Sequence, residues 1–474
     1  MLLETLGSEL LETLETLCDD IRRAGGRALL VGGSVRDSLL SKPIKDLDLE
    51  VFGLDPERLV TTLESRFELD LVGRSFGVVK IKRLPIDVAL PRRESKRGLG
   101  HKGFEVMSDP DLSFEAAAAR RDFTINAMGL DPLTGELLDP WGGRQDLTDR
   151  ILRHVSEAFS EDPLRVLRGM QFVARFELDA HPSTVAACRS VEPEGLPKER
   201  IFDEWRKLIL TGHKISSGLA FLRRSGWIRY FPEIDKLVHC PQDPEWHPEG
   251  DVFTHTGHVL DAFARERTAT PAEDLVVGLA CLCHDFAKPD TTAFTDGRWR
   301  SPGHEEAGEV PTRSFLGRMT DQQKLIDEVV PLVREHLKPM MLYKAGAKPP
   351  AVRRLARRVG RIDRLIRVCR ADHGGRPPLP FDGFPAGVWL AEQAAALKLE
   401  AEAPKPILQG RHLIALGRRP GPDFGSVLQA CFEAQLDGEF EDVEGGLRMA
   451  RRILGLSPEA GSAPPTGDST PGGA

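Results

Sequence analysis

The chain has 474 residues, too many for one ordinary core, so two to four domains are expected. Its 41% hydrophobic and 29% charged residues are those of a globular protein, and no apolar run approaches the roughly 20 residues that span a bilayer. A net charge of −8 excludes nucleic-acid binding by bulk positive charge and leaves that task to local basic patches.

Residues 3–24 read as a helix, with Leu3, Leu6, Leu10, Leu11, Leu14 and Leu17 on one stripe. This acidic, amphipathic start is unlike a secretory signal. Arg27–Val31 is a short apolar strand that ends at Gly32-Gly33, and residues 35–40 begin a helix with Ser34 as its N-cap. Leu47–Phe52 reads as a strand and 56–65 as a helix. Residues 67–71, 77–81 and 86–90 read as strands close enough to pair antiparallel. Beyond about residue 140 strand signals nearly vanish and helical periodicity runs to about 455. The pattern predicts an α+β head followed by an all-helical body. The Pro-, Asp- and Trp-containing stretch 241–248 and the Gly/Pro-rich stretch 374–386 mark internal boundaries, and 457–474 has the composition of a disordered tail. Seven scattered cysteines with no Cys-x-x-Cys pattern suit a reducing cytosol.

The chemistry begins at residues 31–51. Gly32-Gly33 lets backbone approach a phosphate, and the following helix points its N–H groups toward it. Arg36, in the first turn, can pair with triphosphate oxygens. Asp46 and Asp48 are two apart in an extended run and so point to one face. Two adjacent carboxylates repel unless a cation lies between them, which suits Mg²⁺ with a nucleoside triphosphate. Asp87, on a later strand, is a candidate third carboxylate that could share a metal or accept a hydroxyl proton. In the run Glu161-Asp162-Pro163-Leu164-Arg165-Val166-Leu167-Arg168, Asp162 suits a helix cap, and Arg165 and Arg168 share a face. An Asp and an Arg held on one helix present the acceptors and donors that can read the edge of a base.

Five runs occur in order: Gly-Gly-Ser-Val-Arg-Asp, Lys-Asp-Leu-Asp-Leu, Arg-Arg-Asp-Phe-Thr-Ile-Asn-Ala-Met, Asp-Pro-Trp-Gly-Gly-Arg-Gln-Asp-Leu and Glu-Asp-Pro-Leu-Arg-Val-Leu-Arg. Together, over roughly residues 27–235, they resemble the class II tRNA nucleotidyltransferase and bacterial poly(A) polymerase family. Lys198-Glu199-Arg200-Ile201, with Glu204, Lys207 and Leu208, is similar to that family's helical neck. The resemblance implies a polymerase-beta-like head with a mixed or antiparallel sheet, then a helical neck, body and tail. It implies CTP and ATP as substrates and a tRNA 3′ end as acceptor. Matched by position, Asp46 and Asp48 would bind the catalytic metals, and Gly32, Gly33 and Arg36 would hold the triphosphate. Arg121 and Asp122 would contact the ribose side, and Asp162, Arg165 and Arg168 would template the incoming base. Many relatives carry a further Arg three residues after the match to Arg168; this chain has Gln171. The Gly-rich, basic segment 91–103 is expected to be a mobile loop facing phosphate or RNA. In the family such a loop accompanies addition of the terminal A.

The body holds a second constellation: Thr254-His255-Thr256-Gly257-His258, Cys283-His284-Asp285, His304-Glu305, Glu335-His336 and Asp372-His373. Neutral imidazoles with carboxylates suit a divalent transition metal. The set resembles the HD phosphohydrolase superfamily, which implies His255, His284, Asp285 and Asp372 as the metal ligands. His304 and His336 match the extra ligands of two-metal members, and Lys288 matches a phosphate-facing Lys. A nucleotidyltransferase head joined to such a domain resembles multifunctional CCA-adding enzymes with phosphatase and 2′,3′-cyclic phosphodiesterase activity. The implied division is a head at 1–145, a neck at 146–240, an HD-type domain at 241–375, a helical tail at 376–456 and a disordered end at 457–474. Between 353 and 370 eight arginines lie at helical spacing and are expected to form a positive surface for tRNA phosphates.

The principal expectation is a cytosolic enzyme that adds CMP and AMP to tRNA ends without a nucleic-acid template. An A-adding enzyme or a poly(A) polymerase shares its motifs. A metal phosphohydrolase with a vestigial RNA-binding head is the rival of another class. No membrane and no protein partner is implied.

Overall fold

The computed structural model describes residues 3, 6–70, 78–96, 104–268, 270–381 and 383–456. The expected disordered end at 457–474 lies outside them, as do residue 71 of one expected strand, residue 77 of another and the tip of the basic segment at 97–103. The chain divides into two compact units, Met1–Val330 with Ala371–Pro380, and Pro331–Arg370 with Phe381–Ala474.

The first unit opens with helix α1 (Ser8–Arg23), whose Leu14, Leu17, Cys18 and Ile21 are buried. Strand β1 (Arg27–Val31) leads through Gly32 into α2 (Gly33–Leu39) and on to β2 (Leu47–Phe52) and α3 (Pro56–Glu64). Strands β3 (Leu69–Asp70), β4 (Val78–Ile81) and β5 (Ile86–Ala89) follow, then β6 (Arg92–Lys96) and β7 (Phe104–Ser108). After α4 (Phe114–Ala118), β8 (Gly129–Leu130) and β9 (Leu137–Leu138) complete a seven-stranded sheet ordered β3-β4-β5-β2-β1-β8-β9. The antiparallel set β3-β4-β5 is as the sequence predicts. Its junction with β2 is parallel, and that junction places Asp87 beside Asp48 in register. Leu47, Leu49 and Val51 point into a core shared with α1 and α3, which leaves Asp48 and Glu50 on the opposite face.

Ser34 is not the cap of α2. Gly32, at φ +70°, occupies that position, and the Ser34 hydroxyl bonds back to the carbonyl of Val31 at 2.8 Å. Arg92–Lys96 of the basic segment expected to be a loop instead form β6, which pairs antiparallel with β7, Arg92 opposite Ser108.

Helix α5 (Gly143–Thr148) explains the Asp-Pro-Trp-Gly-Gly motif. The Asp139 carboxylate accepts from the N–H groups of Gly143 and Arg144 at 2.6 and 2.9 Å, and Asp146 accepts from Thr124 Oγ1 at 2.7 Å. A Cβ on Gly143 would lie 2.1 Å from the carbonyl oxygen of Thr124, so only glycine permits this clasp.

Strand β10 (Ile151–Leu152) pairs in parallel with β11 (Asp179–Ala180), a small ladder that the helical periodicity did not foretell. Between them runs α6 (Leu164–Phe176), which packs on α8 (Lys198–Thr211) and α9 (Ile215–Arg224); α7 (Pro182–Arg189) precedes these two and α10 (Pro232–Asp235) follows. Next come α11 (Val252–Arg265), α12 (Pro271–Cys283) and α13 (Lys288–Thr291). A second unforeseen hairpin, β12 (Ala293–Thr295) with β13 (Arg298–Arg300), leads to α14 (His304–Ala307), α15 (Glu309–Met319) and α16 (Gln323–Arg334).

Glu233, on α10, is tied to α15 by Ser314 Oγ at 2.9 Å and Arg318 Nη1 at 2.7 Å. Its partial burial alone would raise the carboxyl pKa, but these bonds outweigh that and hold it below its ordinary value. Its stabilising contribution is therefore present above the unfolded pKa near 4.3 and is lost as pH falls through the lower folded value. Glu233→Gln is expected to cost about 1 kcal/mol at pH 7, a modest figure because Arg318 is half-exposed. Paired denaturant titrations at pH 7 and pH 3 check this: the gap between the two proteins should be smaller at the second pH than at the first.

The second unit contains α17 (Lys338–Lys344), α18 (Pro349–Val359) and most of α19 (Ile362–Gly374), then α20 (Pro385–Leu397), α21 (Gly410–Ala415), α22 (Asp423–Asp437) and α23 (Val443–Ile453). Leu413, Val427, Cys431, Phe440 and Met449 form its core. The arginine run departs from expectation. Gly360, at φ +73°, breaks it into two helices, and carboxylates answer the charges of the first. Arg353 pairs with Glu441 at 3.2 Å, Arg354 with Asp437 at 2.7 Å, Arg357 with Glu433 at 2.6 Å and Arg358 with Glu335 at 2.7 Å. These arginines join α18 to its neighbours within the unit rather than standing ready as a phosphate grip.

Candidate functional sites

The first site lies on the open face of the head sheet. Asp48 and Asp87 are register partners on parallel strands, and Asp46 precedes β2 by one residue. All three carboxylates line one cleft with Lys80 and Asp70, and Asp48 and Asp87 also line an adjoining cleft with Arg92, Arg120 and Arg121. Partial burial first, then Asp87 and Asp46, hold the Asp48 carboxyl above its ordinary range, with Arg121 and Lys80 pulling the other way. Carboxylates crowded in this way are a donor set short of positive charge, which fits a divalent cation. Lys80, opposite Asp87 in register, bonds its carboxylate at 2.6 Å. Sequence reasoning passed over Lys80 because its partner is set by strand pairing rather than by spacing.

The Gly-Gly turn closes one side of this cleft. A Cβ on Gly32 would meet Arg121 Nη1 at 3.2 Å and Asp48 Oδ2 at 3.9 Å, so the glycine keeps the backbone against both groups. Arg121 also reaches Glu50 at 3.2 Å.

Arg36 is buried and committed within the protein. It bonds Asn126 Oδ1 at 2.6 Å and Asp37 Oδ1 at 2.8 Å, and it stacks over Phe176 with 4.4 Å to the ring centroid. Asn126 donates to Asp122 Oδ1 at 3.0 Å, and Arg168 Nε donates to Asp122 Oδ2 at 2.7 Å. A continuous polar chain thus runs from the glycine turn through Arg36, Asn126 and Asp122 to α6. Burial pushes the Asp122 carboxyl up, but Arg168, Asn126 and the N–H of Phe123 outweigh it and keep the group ionised. Arg36 and Asp122 therefore form the wall that fixes the turn and α6 to each other.

Asp162 caps α6 by accepting from Leu164 N at 3.0 Å, and its second oxygen accepts from Arg200 Nη2 at 3.0 Å. Arg165 is braced by the carbonyls of Ala158 and Arg120 at 2.6 and 2.5 Å. The Asp162–Arg165 arrangement is thus stiff at both members, with Arg200 of α8 as a third. Gln171 is buried beneath, where a further Arg would need a counter-charge.

The second site gathers around Asp285, which is 1% exposed. His284 Nε2 lies 3.1 Å from one carboxylate oxygen, with His255 Nε2 at 3.8 Å and Lys288 Nζ at 2.8 Å from that same oxygen. His304 Nε2 lies 3.3 Å from the other oxygen. Asp372 reaches His255 Nε2 at 3.1 Å. The Nδ1–H of His284 donates to Cys281 O at 2.8 Å and that of His304 to Ser301 O at 2.7 Å, each three residues back. His255 Nδ1 faces Glu249 at 2.7 Å and Gly375 O at 3.2 Å. These bonds turn every Nε2 lone pair toward the carboxylate cluster, and a lone pair facing a carboxylate repels it unless a cation lies between. His255 is pushed up to about 9: burial opposes this, but Asp372 and Glu249 prevail, so the surroundings favour positive charge at that nitrogen. The ligand atoms of His255, His284 and Asp285 lie within 4.8 Å of one another, as do those of His247, Glu249 and His255. The residues present therefore fit a metal. Glu249 and His247 were missed by sequence reasoning, because the loop at 241–250 shows no periodicity that would aim them inward. His336 belongs to the second unit, where its Nδ1–H likewise donates to a carbonyl three residues back, Val333 O at 2.6 Å.

Known proteins resemble both the head and the histidine-bearing domain. Residues 28–153 match the poly A polymerase head domain, 178–238 a probable RNA and SrmB-binding site of polymerase A, and 252–372 the HD domain. The multifunctional CCA protein of Xanthomonas campestris is 37% identical over 418 residues, covering 85% of this chain and 96% of the relative. That of Aromatoleum aromaticum is 36% identical over 392 residues, covering 80% and 92%. The CCA-adding enzyme of Bacillus stearothermophilus in complex with CTP shares the fold, with a TM-score of 0.65 at 23% identity over 95% of this chain and 99% of that one. The Thermotoga maritima CCA-adding enzyme complexed with tRNA does so with a TM-score of 0.58 at 19% identity over 96% and 97%. Head and cleft define a nucleotidyltransferase with a polymerase-beta-like fold, joined to an HD domain. The chain belongs to the multifunctional CCA protein family.

Proposed function

We propose that this enzyme adds CMP and AMP to the 3′ end of tRNA, with Asp46, Asp48 and Asp87 as the metal-holding carboxylates. The observation that carries the reading is the register of Asp48 against Asp87 in a cleft closed by Gly32 and Arg121. Asp46, Asp48 and Asp87 would hold Mg²⁺, which would supply positive charge to the triphosphate and to the attacking 3′-hydroxyl. The chain's own groups do the rest. Arg121 and Arg120 line the cleft where an anion would enter, the Arg36–Asn126–Asp122 chain holds the turn in place, and Asp162 with Arg165 presents acceptor and donor groups to the base. The domain division that fits is a head at 1–145, a neck at 146–240, an HD domain at 241–375 and a tail at 376–456. No helix among the described residues is long and apolar enough to cross a membrane, which is compatible with work in the cytosol.

Purified protein with CTP, ATP, Mg²⁺ and tRNA ending before C, after C or after CC tests the activity; absence of extension on all three acceptors would refute it. Product length separates CCA addition from A-only addition and from poly(A) synthesis.

Arg200 gives a finer test. It holds Asp162 at 3.0 Å, so Arg200→Ala frees that carboxylate to turn and weakens base choice. Loss of one charge-assisted bond is expected to reduce single-nucleotide incorporation about 10- to 100-fold and to narrow the preference between CTP and ATP. An unchanged preference at every acceptor would remove Arg200 from the selecting group.

The HD site is read as a phosphohydrolase centre for phosphate left on RNA ends. In such a reaction water attacks phosphorus, one P–O bond breaks and the ribose oxygen leaves with a proton. His255, His284, Asp285 and Asp372 would hold a divalent transition metal, with His304, 3.3 Å from Asp285, as a ligand of a second.

A further inference from the structure

The β12–β13 hairpin is exposed at every residue, yet it carries two aromatic side chains. Phe294 is 61% exposed and Trp299 36% exposed. They are direct register partners, their rings meeting edge to face at 5.1 Å between centroids. Trp246, 52% exposed, stands on the 241–250 loop, which Arg298 of the hairpin grips through Asp243 at 3.3 Å and through Glu245. A two-stranded hairpin with no buried face is marginal by itself; the Phe294–Trp299 pair helps to hold it, and its rings still present exposed aromatic surface.

Both ends of the hairpin run into the metal-site residues. On one side, Thr292 Oγ1 bonds the carbonyl of Lys288 at 2.7 Å, and Lys288 reaches Asp285 at 2.8 Å and Gln242 at 2.7 Å. On the other side, the carbonyl of Ser301 fixes the His304 tautomer. Thr292 and Ser301 bond each other at 2.7 Å and close the base of the hairpin. The aromatic pair stands two residues beyond that closure, roughly 7 Å at the rise of a strand. The 241–250 loop has the same double duty, since it carries Gln242, His247 and Glu249 as well as Trp246.

We propose that Phe294 and Trp299 form a stacking shelf for the base of an RNA 3′-terminal nucleotide whose phosphate is hydrolysed at the Asp285 site. The occupant is a nucleobase rather than a protein. Three residues per strand cannot supply the roughly 800 Å² per partner of a stable protein interface, whereas a base needs one aromatic face. Arg298 is held by the 241–250 loop, whereas Arg300, 3.6 Å from Asp296 and exposed, suits a phosphodiester backbone. The shelf makes the HD site selective for phosphate on a nucleotide over phosphate on a small alcohol. This rests on the phosphohydrolase reading of the site.

The full-length protein carrying Phe294→Ala and Trp299→Ala together, loaded with the divalent metal that best supports hydrolysis, is compared with wild type on adenosine 2′-monophosphate and on glycerol 2-phosphate. KM for the nucleotide is expected to rise about 5- to 100-fold with kcat nearly unchanged. Glycerol 2-phosphate, which has no base, should show no loss in kcat/KM. Trp299→Phe with Phe294 intact should restore KM to within about threefold, since a phenyl ring still stacks. An equal loss on both substrates, or no loss on either, overturns the shelf while leaving the hydrolase reading in place. Failure of the wild-type protein to hydrolyse either substrate under any divalent metal refutes that reading and the shelf with it. Extension of tRNA by the double variant reports that the protein is folded.

Discussion

Asp48→Ala is expected to lower nucleotide addition at least about a thousandfold on every tRNA acceptor, because a metal's share of charge stabilisation is several kcal/mol. The side chain lies on the strand's open face and its neighbours Leu47 and Leu49 carry the packing, so the fold should stand. Removing this carboxylate even relieves its repulsion with Asp87 and Asp46, and the thermal midpoint is expected to hold or rise slightly. Asp87→Ala should be less clear-cut. It strands Lys80, which bonds Asp87 at 2.6 Å but is itself more than half exposed and can turn to water. Measured together, single-turnover extension and thermal unfolding separate the two roles. A variant at Asp48 that melts like wild type and still extends tRNA at a tenth of the normal rate would show that Asp48 does not hold the catalytic metal.

Much of the head was legible because its signals are local. Arg27–Val31 and Leu47–Phe52 are strands with the bounds their apolar patterning predicts, and the alternation that put Asp48 on an open face is a property of any strand. Ser34 misled because a hydroxyl before a helix is the usual cap, whereas the turn here needs a positive φ that only Gly32 adopts freely. The parallel junction of β2 with β5 is a pairing across some forty residues, and no spacing rule announces it. The arginine run at 353–370 read as a phosphate grip because its counter-charges, Glu433 and Asp437 on α22 and Glu441 just after it, lie some eighty residues away. In the HD site the histidines were recognisable by type. The i−3 carbonyl bonds that fix the tautomers of His284 and His304, and the Glu249 carboxylate that faces His255, are three-dimensional facts. Arg36 shows the same limit: its place after two glycines suggests a phosphate ligand, and its contacts with Phe176 and Asn126, set by the fold, are not legible there.

Asp285→Ala should separate the two chemistries. Three imidazoles and Lys288 converge on this carboxylate. Without it the positive groups lose their common partner, so bound divalent metal, counted by elemental analysis after dialysis, is expected to fall to near background. Phosphatase and cyclic phosphodiesterase turnover should drop at least about a thousandfold, the loss appropriate to a ligand that also anchors Lys288. Leaving Lys288 buried beside protonatable histidines has a structural cost of about 3 kcal/mol, so some lowering of the thermal midpoint is expected. Asp285→Asn is the companion variant, since the amide keeps the volume and one acceptor oxygen while removing the charge. Both variants should extend tRNA at close to the wild-type rate, because the wall of Arg36, Asn126, Asp122 and Arg168 that shapes the transferase cleft makes no use of the HD site. Loss of extension in an Asp285→Asn protein that still melts cooperatively would mean that the two sites are coupled, and that the histidine cluster serves the head rather than a reaction of its own.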